Sequence, residues 1–278
     1  MGGTRDRVAR TIVFVLITLH VAVVIGPFVW LLYSSLKTNK EFMASVWSLP
    51  AHWIWGNYAA AWGQGALGVY MLNSVIVTFF TVALTVIVTT SAGFCLGTRR
   101  KLRWVAKVEF VLLAAMTIPA YVSLVPIVQT LRPLGLMNTR LGIILPTMAF
   151  NVPLSIFIMR SFFVTMPYEI IEAANFDGAS EPRIFFSIAV PLAKPAMFTA
   201  AIINVIWVWN DFLFPLVIIN SPMLKTLPVG LRDFVGEHVT NYPVMISAVI
   251  IASLGALAVY SIFQKQVIGG LMTGAIKA

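Results

Sequence analysis

From Thr11 to Leu36 the chain carries no charged side chain, and apolar runs of the same kind recur along it to the sixth, Pro243 to about Phe263. About 20 apolar residues, rising ~1.5 Å each as a helix, cross the hydrocarbon core of a bilayer. Water is absent there, so each run must satisfy its own backbone hydrogen bonds, and a helix does so within one segment. Of the 278 residues 59% are hydrophobic and 10% charged. A soluble domain carries about 25% charged residues, so this excess has no soluble solution. The pattern predicts an all-α integral membrane protein with six transmembrane helices.

Arg5, Arg7 and Arg10 in segment 1–10 precede the first run, 11–36. A signal peptide has a shorter apolar core and a small-x-small cleavage site. This run instead continues through Pro27 and Trp30, as a retained span kinked or opened at the proline. Segment 37–70 is polar and aromatic, with Trp47, Trp53, Trp55 and Trp62 suited to a membrane–water interface. It is expected to form an interfacial loop with a short surface helix. The second span is 71–98, where Gly93 and Gly97 would allow another helix to approach closely. The third, 108–131, holds Pro119 and Pro126, which remove two backbone donors. Glu109 near its end is expected to reach the headgroups. The fourth, 141–159, contains Pro146 and Pro153 and is closed by Arg160; the fifth, 196–219, contains Trp207, Trp209, Asn210 and Asp211. Segments 164–195 and 220–242 are polar loops, 243–263 is the sixth span and 264–278 a tail.

The formal charge of +9 raises nucleic-acid binding as one explanation, but its distribution fits membrane topology instead. With the N-terminus inside, Arg5, Arg7, Arg10, Arg99, Arg100, Lys101, Arg103, Lys107, Arg160, Arg183, Lys194, Lys265 and Lys277 are internal. Only Lys37, Lys40, Arg132, Arg140, Lys225 and Arg232 are external. This bias predicts both termini on the cytoplasmic side. Cys95 is the single cysteine, so no internal disulfide forms. His52 and His238 stand alone in polar loops without metal-ligand spacing. His20, within the first run, is expected to make a buried hydrogen bond.

The loop 164–195 has internal order. Pro167 suits a first helical turn, and Tyr168 to Phe176 can form about two turns. Asp177 and Gly178 supply a turn, with glycine free to take positive φ. Ser180 is a candidate N-cap for a second helix that Pro191 and Pro195 would end. Ala173 and Ala174 would let another surface approach the backbone, with Glu172 offering a charge beside it. A re-entering interfacial hairpin without a partner accounts for the same residues.

The string resembles the EAA motif of bacterial ABC importer permeases. Glu172, Ala173, Ala174, Gly178, Ile188 and Pro191 stand in that motif's spacing, with Val190 where the pattern has Leu, and Asp177 of the turn joins them as a candidate for coupling. Nearly the whole chain resembles the maltose-permease-like subunit of carbohydrate importers. Ser34-Ser35-Leu36-Lys37, Glu41-Phe42, Asn57-Tyr58, Asn73-Ser74, Trp209-Asn210-Asp211 and the ending Gly270 to Lys277 carry that likeness. The resemblance implies a type I ABC importer permease fold over about 67–264, in a bacterial or archaeal cytoplasmic membrane. It implies that the motif is a coupling helix seated on one of two ATP-binding subunits. It further implies a second homologous permease subunit and an extracytoplasmic solute-binding protein met by loop 220–242.

Gly-x-x-x-x-Gly-Lys-[Ser/Thr] does not occur, so ATP and Mg are expected on the partner ATPase subunits and no cofactor on this chain. Asp211, with Asn210 and Trp209, is a candidate for the substrate pathway, since a sugar needs hydrogen bonds and an aromatic surface. Capping or bracing of neighbouring helices is the plainer reading of Asp211. An ion-coupled secondary transporter would show repeats and several midplane ionisable groups. An intramembrane enzyme would show a nucleophile–base pair or metal ligands. Neither pattern stands out.

Overall fold

The computed structural model describes residues 2–64, 66–235 and 240–275, leaving His238 and Lys277 outside the described residues. Its elements are helical, with no strand among the described residues. They group into two compact units, one of Met1–Leu67 with Leu231–Leu254, the other of Gly68–Gly230 with Gly255–Ala278.

In the first unit α1 (Gly2–Ser34) runs through Pro27 without ending. Among the described residues the apolar window of α1 is unburied, and only near its end do Trp30 and Tyr33 reach the following segment, at Phe42 and Trp47. His20 is therefore exposed on its flank, not buried as the sequence led one to expect. Order begins at its far end. Asn57 Nδ2 donates to the carbonyls of Ser35 (2.7 Å) and Lys37 (2.9 Å), while the Ser35 and Tyr58 hydroxyls lie 2.8 Å apart. The fully buried Lys37 ammonium donates to the carbonyls of Ser45 and Val46. Desolvation holds it below the usual lysine range, against the pull of Glu41. Two surface helices form, α2 (Asn39–Ala44) and α3 (Gly56–Gln64). Thr38 and Glu41 close a capping box on α2, and the Thr38 N–H and hydroxyl hold the Glu41 carboxyl below its ordinary range. Thus Ser35, Lys37, Asn57 and Tyr58 are spent on one hydrogen-bonded knot.

The second unit is built on α4 (Leu67–Thr98), α7 (Arg140–Thr165) and α10 (Val190–Trp209). Val77 and Val82 of α4, Ile143 and Ile144 of α7 and Val208 of α10 share one buried cluster. At Gly93 a Cβ would stand 2.6 Å from the Met159 Cβ, and at Gly97 2.7 Å from that of Phe163. The two glycines therefore do bring α4 and α7 into backbone contact.

α5 (Arg103–Met116) and α6 (Ala120–Leu131) meet at 101° across Thr117–Pro119, so the third run is broken and not merely kinked. Pro119 has no N–H to extend the preceding turn and stands in extended backbone as the N-cap of α6. Thr139 caps α7 by accepting from the Gly142 N–H (3.0 Å). α7 does not close at Arg160 but runs on to Thr165, and Arg160 is ion-paired with Glu109. That pairing replaces the expected headgroup contact, because two half-buried charges stabilise each other better than either does alone. Segment 220–242 is not a plain polar loop: α12 (Leu227–Leu231) follows α11 (Leu213–Ile218). Asn73 Nδ2 donates to the carbonyls of Met223 and Lys225, and Ser74 Oγ accepts from the Leu227 N–H. Arg140 in turn donates twice to Asn73 Oδ1.

Among the described residues four helices are long and apolar enough to cross a membrane: Ala9–Ser34, Leu67–Thr98, Arg140–Thr165 and Glu181–Trp209. The bent pair makes a fifth if it counts as one span. α13 (Tyr242–Ala275) is the remaining long helix, apolar over Tyr242–Gly255. The helix 181–209 corrects an expectation. Pro191 and Pro195 do not end a short helix; it passes through both. The five residues Phe185–Ala189 before them form a π-turn, in which the Val190 N–H reaches back to the Phe185 carbonyl. This wider register accommodates the missing Pro191 donor without breaking the rod.

Candidate functional site

The hairpin opens with α8 (Tyr168–Phe176), directly after Pro167. Its end is closed by two reversed bonds: the Ala179 N–H donates to Ala174 O and the Gly178 N–H to Asn175 O, both 3.0 Å. This is the Schellman closure, and it requires the left-handed φ of +74° that Gly178 adopts. The second arm, α9 (Glu181–Ile184), starts after Ser180, whose side chain makes no cap bond.

One face of α8 is committed inward. Ile171 and Ala174, one turn apart, are buried against Ile184, with Ile188 packed alongside. The motif's alanines therefore part company: Ala174 is core, and only Ala173 is exposed. At 3.6 residues per turn two adjacent positions point about 100° apart, so they cannot share a face. The outward set is Glu172, Ala173, Asn175, Phe176, Asp177 and Gly178, with Pro191 exposed further along. Glu172 makes no hydrogen bond or ion pair among the described residues. Phe176 is 91% exposed, a large apolar side chain left at the hairpin tip. Nothing in the motif's own pattern had marked it; its place beside the glycine turn, opposite the buried Ile171 and Ala174, was the available signal.

Both feet of the hairpin are tied to the basic turn after α4. Arg99 pairs with Glu181 at 2.7 Å, and Arg100 donates to the Val164 carbonyl at 3.0 Å. Residues counted only as topological charge thus also fix the hairpin's base.

The second candidate group lies at the end of α10. The helix stops at Trp209, and Asn210 to Phe212 link it to α11. Asp211 Oδ2 accepts from the Thr147 hydroxyl of α7 (3.2 Å), and Oδ1 accepts from the Phe214 N–H at the start of α11 (3.4 Å). Asn210 Nδ2 turns back to the Ile206 carbonyl (2.7 Å), and the Trp209 ring is buried beside Gly255. Asp211 therefore joins α7 to α11, while Asn210 folds back on its own helix. A cavity of about 340 Å³ opens elsewhere, at the α5–α6 break, lined by Met116, Ser123, Phe150, Pro153 and the half-exposed Trp207. Sequence reasoning named Trp209 for an aromatic surface; Trp207, two residues earlier and so on the opposite side of α10, lines this cavity, while Trp209 lines a separate apolar groove with Val75, Phe79 and Val205.

Residues 90–271 match the family described as binding-protein-dependent transport system inner membrane component. The chain belongs to this family. It is 34% identical to a diacetylchitobiose uptake system permease protein of Streptomyces coelicolor, over 99% of this chain and 92% of that one. It is also 34% identical to a melibiose/raffinose/stachyose import permease protein of Bacillus subtilis, covering 98% and 99% of the two chains. In fold it superposes on a chain of a bacterial ABC transporter that imports the acidic polysaccharide alginate, with a TM-score of 0.82, 21% identity and coverage of 95% and 98%. The protein is thus a multi-pass ABC transporter permease, and the hairpin and Asp211 belong to a transport component.

Proposed function

We propose that this permease is the transmembrane subunit of an ATP-driven sugar importer, in a bacterial or archaeal cytoplasmic membrane. It would form half of the translocation pathway beside a second, homologous permease. Six spans with both termini in the cytoplasm put the hairpin on the side where ATP is available. Two ATP-binding subunits hold the nucleotide and Mg, and a solute-binding protein delivers sugar from outside. The observation that carries the coupling role is the division of α8 into a buried face and an exposed one. Ile171 and Ala174 bind the hairpin to its own chain, while Glu172, Ala173, Phe176, Asp177 and Gly178 remain free for a partner. A rigid hairpin with an apolar tip and an unpaired carboxylate matches a hydrophobic pocket with a polar rim. Ile188 and Pro191 then continue the contact into the π-turn and the long helix, so displacement at the tip enters the membrane along one rod.

The relatives that import diacetylchitobiose and melibiose, raffinose or stachyose point to an oligosaccharide or related glycoside as substrate. We place Trp209, Asn210 and Asp211 on the substrate pathway through geometry rather than direct contact. Asp211 holds the α10–α11 break in shape, and Trp207 and Phe150 present the aromatic surface at the cavity.

Reconstitution of the complete importer tests this reading. Ligand screening of the solute-binding protein that co-purifies with the chain identifies the sugar. Uptake of that sugar should then fall in Glu172→Ala and Phe176→Asp while the complex loses ATP-binding subunits. Normal uptake and normal assembly in both variants would remove the coupling assignment.

A further inference from the structure

Arg160 and Glu109 form an ion pair whose side chains are 25% and 21% exposed. Charges this far withdrawn from water are costly, and removing one partner strands the other. An apolar pair of equal volume would pack as stably. What it would lack is register, since opposite charges meet in one arrangement whereas apolar side chains slide.

The surroundings make register matter. On α5, Val105, Glu109 and Leu112 follow one another at helical spacing on one face. On α7, Val152, Ile156 and Arg160 do the same, and Ala92 and Leu96 of α4 close the third side of their apolar cluster. The ion pair lies beside that cluster, Glu109 between Val105 and Leu112 on α5 and Arg160 one turn beyond Ile156 on α7. Arg160 is also gripped through its backbone: a Cβ on Gly93 would lie 2.9 Å from its amide nitrogen, and one on Gly97 3.3 Å from its carbonyl oxygen. Beyond Arg160, α7 runs only to Thr165 before α8 begins at Tyr168. At the opposite end of α5 lies the Thr117–Pro119 break with its 101° turn.

We propose that Glu109–Arg160 is a positioning pair that makes the hairpin, the inner end of α7 and α5 one body. A hairpin displaced by its partner then swings α5 about the Thr117–Pro119 break, which borders the Trp207 cavity, instead of bending α7. The inference rests on the docking role proposed for the hairpin.

The test uses the assembled importer in a Cys95→Ala background with spin labels at Leu113→Cys on α5 and Ser180→Cys on the hairpin. Both positions are exposed. With the pair intact, the label–label distance is narrow and equal in the nucleotide-free and the ATP–vanadate-trapped complex. Glu109→Gln and the double variant Glu109→Leu/Arg160→Met widen the distribution by about a factor of two, and the exchange Glu109→Arg/Arg160→Glu restores it. A merely structural pair would lower the yield of complex but leave that width unchanged, and an unchanged width overturns the inference. If the width is unchanged while Phe176→Asp still abolishes assembly, only the positioning role falls. If Phe176→Asp assembles normally, the docking reading falls, and the distance width still decides whether the pair ties α5 to the hairpin.

Discussion

The hairpin at 168–188 and the break at 209–214 both attract attention as polar interruptions of apolar helices, but they use their polar groups in opposite ways. At the break, both oxygens of Asp211 accept hydrogen bonds within the chain, and Asn210 returns to its own helix. At the hairpin, Glu172 and Asp177 face outward and Phe176 is 91% exposed. A group already satisfied by its own fold shapes that fold. A group left open at a place this well ordered is free for something else. Local order without internal use separates a docking surface from a brace.

Four substitutions put that contrast under strain. The largest effect is expected for Phe176→Asp, which removes an interface anchor. Loss of such an anchor costs about 2–4 kcal/mol, or roughly 30- to 700-fold in affinity for the ATP-binding subunit. Co-purification and binding titrations read it out, and the isolated permease should melt as before. Asp211→Ala should do the reverse. It leaves the Thr147 hydroxyl and the Phe214 N–H without acceptors, at about 1–3 kcal/mol of stability, so the thermal midpoint falls while affinity for the ATPase holds. Loss of affinity without loss of stability there would break the contrast.

Gly178→Val comes next, because a branched residue at a φ of +74° costs about 1–2 kcal/mol. The Schellman closure should open, and amide hydrogen exchange at positions 178 and 179 should accelerate before that of α8 itself. Glu181→Gln is the smallest. It removes an ion pair whose carboxylate is 76% exposed, worth at most about 1 kcal/mol. Assembly should change little, and an effect as large as that of Phe176→Asp would show that the hairpin's base, and not its tip, governs docking.

Much of this architecture was legible beforehand. The apolar runs, the helix at 168–176 and the left-handed glycine at 178 all follow from local rules: run length, proline and glycine preferences, and the spacing of small residues. The close approach at Gly93 and Gly97 was also visible, though a five-residue pattern could not name its partner. Other features depended on what lies across the fold. Pro191 and Pro195 looked like terminators because a proline removes one donor, yet a π-turn absorbs that loss when both flanking helices are held in line. Ala173 and Ala174 looked equivalent until Ile184 covered one of them. Glu109 looked free to reach headgroups until Arg160 stood opposite.

The sequence by itself determined that this chain lies in a membrane, where its apolar runs lie, and which short segment is built as a hairpin. These are decided by hydropathy and local backbone preference, which act over a few residues. Only the tertiary structure decided which charges are paired, which face of α8 is open, and that Asp211 braces while Phe176 is bare. Pairing and burial depend on residues far apart in the chain, such as Glu109 with Arg160 and Thr147 with Asp211, that meet only after the helices pack.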